Sequence, residues 1–193
     1  PAIQAFNELA VPVEIRLLDE VFTGPWDALH TGRAELVVGA SREVQAPGNY
    51  DQTTIGDVPF VYAVARDHPL AREPQPVPED RISEWPAVVA ADSSRQLPAG
   101  SAGIFSRQRT LTVSSMPNKI AAQKAGLGVG WLPYHQIERD IEQGELVTIQ
   151  LPVKRQPVEL CMARRQGDEG KALNWFWEYL SQPGYFSNWL DSP

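Results

Sequence analysis

AGLGVGWLP, residues 125–133, sets three glycines at alternate positions ahead of an apolar pair and a proline. Whether this is a phosphate-cradling loop or a simple turn decides the fold, and the flanks give the answer. Upstream lies the helical stretch MPNKIAAQKAG, preceded by Ser115, a good amino-terminal cap. Gly126 stands just past that helix, where a left-handed residue ends it without Cβ strain. Downstream comes VGWL, which reads as a strand. A dinucleotide loop has the reverse polarity, strand then glycines then helix, and a different glycine spacing. The glycines therefore make a helix-to-strand turn that lets a strand pass close to a neighbour.

Working outward, the next helix is YHQIERDIEQG, with Tyr134, Ile137 and Ile141 on one face, followed by strand ELVTI. A further strand, VELCMAR, precedes a last helix in which Leu173, Phe176, Trp177 and Leu180 form a wide apolar stripe. Towards the amino terminus, strand TLTVS follows a Ser/Gly/Arg-rich segment, 92–107, whose elements the pattern does not place. Before it come strand AVVAA (87–91), a short helix around Glu79–Glu84, and a crossing with four prolines between Pro69 and Pro78. Residues 50–66 carry two strand-like pieces. The first forty residues read as helix (Ile3, Phe6 and Leu9), strand Val13–Asp19, short helix GPWDALHTG and strand AELVVGA. That alternation is the rhythm of a parallel α/β sheet. The expected arrangement is α/β, two lobes joined by two crossings. Lobe I comprises 1–64 plus 160–193 and lobe II 65–159, with a cleft between them.

Composition limits the function. The 193 residues carry a formal charge of −7, which disfavours a nucleic-acid surface. Six Trp and six Phe disfavour disorder. The single cysteine, Cys161, lies in an apolar run and reads as a buried strand residue in a reducing, cytoplasmic setting. No apolar run approaches the ~18 residues of a membrane span. His30, His68 and His135 have no metal-ligand spacing, and no nucleophile elbow is present. No metal, no cofactor and no catalytic set is therefore expected, and the chain reads as a non-enzyme.

The segment VSSMPNKIAAQKAGLGVGWLPYHQIERDIEQGEL resembles a hallmark of the LysR-type transcriptional regulators, in their carboxy-terminal effector-binding domain. WDALHTGRAELVVG is similar to a second family motif, with Glu35 where Asp is usual, and VPFVYAVARDHPLA to a third ending in DHPLA. The three occur in family order across nearly the whole chain. The resemblance implies a pair of Rossmann-like lobes of the type 2 periplasmic-binding-protein kind. It implies a bacterial regulator whose winged helix-turn-helix, with the first strand of lobe I, would precede Pro1. A small effector, aromatic or acidic, would bind between the lobes and shift the hinge geometry. DNA would be met only through the winged helix, in a homodimer or homotetramer, with no membrane partner. The competing expectation is a transporter's solute-binding protein, which shares the architecture. An enzyme of the same fold is the other.

A ligand in such a fold sits at strand carboxyl ends, near loop hydroxyls and helix amino termini. Ser41 and Arg42 follow the lobe I strand; Arg42 is either a counter-ion for an acidic effector or a surface arginine. Ser93 and Ser94 follow strand AVVAA, as ligand contacts or as a polar turn. Ser115 and Met116 begin a helix facing the cleft, Ser115 being at least its cap. Trp131 either stacks an aromatic effector or packs in the core. The resemblance also implies a subunit interface in which the first helix meets the helix near Met116. Ile3, Phe6, Ile120 and Gln123 are its candidates, although Ile3 and Phe6 equally suit the chain's own core.

Overall fold

The structure is a computed structural model that describes residues 1–100 and 103–187. Ser101 and Ala102 of the 92–107 segment, and 188–193 of the expected lobe I, lie outside the described residues.

Chain order begins with helices α1 (Ala2–Asn7) and α2 (Gly24–His30), then strands β1 (Leu36–Ser41), β2 (Tyr50–Val58) and β3 (Phe60–Ala65). A 3-10 turn at Pro69–Arg72 and helix α3 (Glu79–Ser83) lead to β4 (Ala87–Ala90) and β5 (Thr110–Val113). Helix α4 (Met116–Lys124), β6 (Gly130–Pro133), α5 (Tyr134–Glu142) and β7 (Leu146–Ile149) follow. The chain closes with β8 (Val158–Arg165) and α6 (Lys171–Leu180).

The first lobe is built on a three-stranded sheet in the order β1-β8-β2. Its central strand carries Cys161, Met162 and Ala163, all fully buried, and α2 packs Trp26 and Leu29 against it. Two features of this lobe differ from the sequence pattern. Both ladders run antiparallel, because β8 returns between β1 and β2 in the opposite direction. The alternating stretch Val13–Asp19 forms no strand: it makes no ladder, and Leu17 is 76% exposed. Alternation marks a half-buried strand only where a neighbouring strand supplies the ladder, and none of the described strands lies beside it.

In the second lobe β3 is the central strand between β6 and β7, both antiparallel to it. Beside it lies the parallel pair β4-β5, joined to the β6 side by a bridge between Ala87 and Val129. The 125–130 glycines now have their reason. Gly126, at φ +70°, closes α4. A Cβ at Gly128 would overlap the Pro86 carbonyl, and one at Gly130 would lie 2.9 Å from Gln123 Nε2. They let this stretch run tight against β4 and α4. The chain changes sheet at Pro59, between β2 and β3, and again between Ile149 and Val158.

Helix α6 is less buried than its apolar stripe suggests. Leu180 is buried, but Leu173, Phe176 and Trp177 are only half-buried. Phe6 of α1 fills part of that face, stacked on Phe176 at 4.8 Å and edge-on to Trp175 at 5.0 Å.

Candidate functional site

Strands β4 and β5 run in parallel with Ala90 opposite Val113, so their carboxyl ends leave one edge of the sheet together. Asp92-Ser93-Ser94 and Ser114-Ser115 therefore emerge side by side. The first of these loops does not stand open: it is bound to the segment that leads into α2 of the other lobe. Asp92 Oδ2 accepts from the Thr23 amide at 3.1 Å and the Gly100 amide at 2.5 Å. Ser93 Oγ accepts from the Val21 amide at 2.8 Å and donates to Glu20 at 2.5 Å. A Cβ at Gly24 would collide with that same hydroxyl, so α2 needs a glycine at its start for the lobes to meet.

Asp27, one turn into α2, reaches back the other way. Its Oδ1 accepts from the amides of Gln96 and Leu97 at 2.7 and 2.8 Å, and its Oδ2 pairs with Arg33 at 2.9 Å. Burial alone would raise its pKa, but the Leu97 and Gln96 amides and the Arg33 guanidinium outweigh it and hold the carboxyl at about 2. Leu97 packs onto the Trp26–Leu29 core of the first lobe. Asp92 is likewise lowered: burial opposes, and the amides of Ser94, Gly100 and Thr23 prevail. The 92–100 segment is thus a polar strap laid across the lobe boundary.

The sequence candidates fall into separate places. Ser41 lies at the end of β1, where its carbonyl accepts from the Trp26 indole at 2.8 Å. Arg42 is exposed and already paired with Glu159 at 3.0 Å, so its charge is satisfied within the first lobe. Ser93 is taken up by the strap, whereas the buried hydroxyl of Ser94 has no partner among the described residues. Ser115 caps α4, accepting from the Asn118 amide at 3.3 Å. Met116 and Ile120 lie partly buried against the core around Leu132 and Ile137. Trp131 is partly buried, edge-on to Tyr62 at 5.3 Å, with Gly103 close upon its ring. Ile3 is 36% exposed, while Gln123 is fully buried under β3 and β6.

Two cations that the sequence reading did not single out stand near Trp131. Arg155, in the segment between β7 and β8, sets its guanidinium carbon 4.5 Å from the Phe60 ring centre and 5.6 Å from that of Trp131. Lys119 of α4 is buried on the same side, beneath Gly130. Lys119 shares a face of α4 with Ala122 and Gln123, three and four positions on and both buried, a placement that only the structure reveals. Nearby, the Tyr62 hydroxyl is buried without a partner among the described residues, and burial raises its pKa. A separate concavity of about 600 Å³ opens at the other end of α4, lined by His68, Trp85, Lys124 and Gly144 among others. It holds none of the expected site residues. Among the described residues no group of His, Cys, Asp and Glu could hold a metal ion, and no helix is long and apolar enough to cross a membrane.

A family model described as the LysR substrate binding domain matches residues 1–183. The HTH-type transcriptional regulator PunR of Escherichia coli K12 is 32% identical over 182 residues, covering 94% of this chain and 59% of that protein. The probable HTH-type transcriptional regulator YhaJ of the same strain is 30% identical over 162 residues, covering 84% of this chain and 54% of that protein. The chain thus spans a little over half the length of the curated relatives it matches. Among solved structures, the probable transcriptional regulator PA0477 from Pseudomonas aeruginosa superposes with a TM-score of 0.67 at 16% identity. The match covers 94% of this chain and 60% of that one, and supports the two-lobed fold alone. These relatives are transcriptional regulators, not solute-binding proteins of transporters. With the family model spanning nearly all of it, this chain belongs to the LysR substrate binding domain family.

Proposed function

We propose that this chain is the effector-sensing part of a bacterial LysR-type transcription factor. A small molecule binds between the lobes at the β4-β5 edge, near Ser94, Ser115, Met116 and Trp131. Its binding shifts the population of hinge geometries. The lobe division is put at Pro59 and Val158, which the change of sheet partner at both points supports. In the whole regulator that shift re-spaces DNA-binding heads in a homodimer or homotetramer working in the cytoplasm. Ile3 and Ile120 are the interface residues of choice, since Phe6 and Gln123 are buried within the chain. No catalytic step and no cofactor are assigned.

The observation that carries the reading is the 92–100 strap. It joins the lobes through hydrogen bonds accepted by Asp27 and Asp92 and one donated by Ser93 to Glu20. Polar contacts between lobes exchange readily for ligand or water, so this boundary is suited to movement. The test is a thermal-shift screen of the protein against small organic acids, phenols and neutral metabolites. A ligand at ~100 times its Kd adds about 2.7 kcal/mol, a shift of a few degrees. The proposal requires a saturable shift that Trp131→Ala weakens; a shift untouched by Trp131→Ala and Ser115→Ala together would place the ligand elsewhere.

A further inference from the structure

Among the described residues six cations of this chain meet a carboxylate, and the unpaired ones withdrawn from solvent coincide in space. Arg33, Arg42, Arg81, Lys124, Arg164 and Arg165 each meet a carboxylate. Of the remaining cations, all that lack a carboxylate among the described residues are exposed except two, Lys119 and Arg155. Lys119 is 6% exposed, and its stem crosses Gly130, where a Cβ would lie 3.6 Å from Lys119 Cε. Burying an ammonium without a counter-charge is unfavourable, and here the nearby charge is another cation. Burial first, and the Arg155 guanidinium second, lower the Lys119 amine to about 8. Arg155 is also partly buried; burial lowers its pKa, and the Glu43 carboxylate of the β1–β2 loop partly offsets this from the first lobe.

Two neighbouring cations, one on α4 and one on the segment that returns to the first lobe, thus lie beside the aromatic wall of Trp131 and Phe60 with no anion between them. We propose that Lys119 and Arg155 together hold the anionic group, carboxylate or phosphate, of the small-molecule ligand. This rests on the effector-binding reading and names the ligand's charge class and its two anchors. The division of labour follows from chemistry. Arg155 offers a planar fork that the Phe60 and Trp131 rings hold in place, and Lys119 supplies a compact charge at the dry end. Because Arg155 sits where the chain crosses between lobes, an anion held by both cations ties α4 to the crossing and so reports directly on lobe geometry. Arg42, the counter-ion expected from sequence, is replaced in this role because Glu159 already neutralises it.

The experiment is thermal denaturation at pH 7 and constant ionic strength with benzoate, succinate and inorganic phosphate, set against benzamide and succinamide. At least one anion is expected to raise Tm saturably where the amides do not. Lys119→Met and Arg155→Met should each weaken that anion about tenfold or more, with Lys119→Arg retaining most of the affinity. Without anion, Lys119→Met should melt at or above the parent temperature. Should a variant fail to fold, NMR titration of the Lys119 amine in the unaltered protein decides: the bound anion must raise its pKa. An anion effect unchanged in both variants, or a Lys119 amine that none of the three anions moves, overturns the proposal. Binding of neutral compounds alone also overturns it while leaving the effector-binding reading intact. That reading fails separately, when no compound of any charge shifts the protein.

Discussion

Asp27 has no exposed side-chain surface and accepts two amide hydrogen bonds from a loop some seventy residues away. Asp27→Asn keeps the shape but removes the charge that Arg33 and those amides face. A loss of about 3 kcal/mol is expected, measured by urea denaturation. Its folded pKa of about 2 lies below the unfolded value of 3.8. The stabilisation is therefore complete above pH 3.8 and vanishes as pH falls through about 2. The parent's stability advantage over Asp27→Asn should shrink across that window. Lys119 gives the opposite case, a cation whose folded pKa of about 8 lies below the unfolded 10.5. Its cost is full below 8 and absent above 10.5, so without ligand the parent should gain on Lys119→Met as pH rises through that range. Arg155 faces Lys119, its own pKa lowered by burial and partly restored by the Glu43 carboxylate beyond it.

At the scale of elements, the α4–β6 unit is where sequence and structure agree most closely, because everything that shapes it is local. Ser115 caps, Gly126 closes, and the later glycines admit close contact with β4. Gly128→Ala should cost about 1–3 kcal/mol, since its Cβ meets the Pro86 carbonyl and lies 3.0 Å from Val88 Cγ2. Ser115→Ala should cost about 1 kcal/mol through the lost cap. Chemical denaturation of both variants checks the order. Other elements were illegible for a shared reason: their state is set by distant partners. Val13–Asp19 has the alternation of a strand but no ladder neighbour. Arg42 looked free in sequence, yet Glu159, 117 positions away, neutralises it. Lys119 sits in a helix where lysines are ordinarily solvated, and only the packing of α4 onto β6 buries it. The 92–100 strap has no periodicity to read; its order comes from two aspartates, one of them on another element.

Over the whole molecule, the two lobes, the returning β8 and the helix-to-strand turn place the chain in its family, and the family match covers residues 1–183. The net charge of −7 bears on partners. An acidic domain repels a phosphate backbone, so this chain alone should not retard duplex DNA at physiological salt, as fluorescence anisotropy would check. The central claim is that a ligand acts by changing how the lobes sit. The direct measurement is a pair of spin labels at exposed Val38 of β1 and exposed Leu127 beside α4, each replaced by cysteine. The buried Cys161 can remain in place. Pulsed dipolar spectroscopy then reads the distance distribution with and without a ligand from the thermal-shift screen. The account predicts that saturating ligand narrows and displaces that distribution, and that Trp131→Ala suppresses the change at the same concentration. A ligand that stabilises the protein yet leaves the distribution unmoved would contradict it.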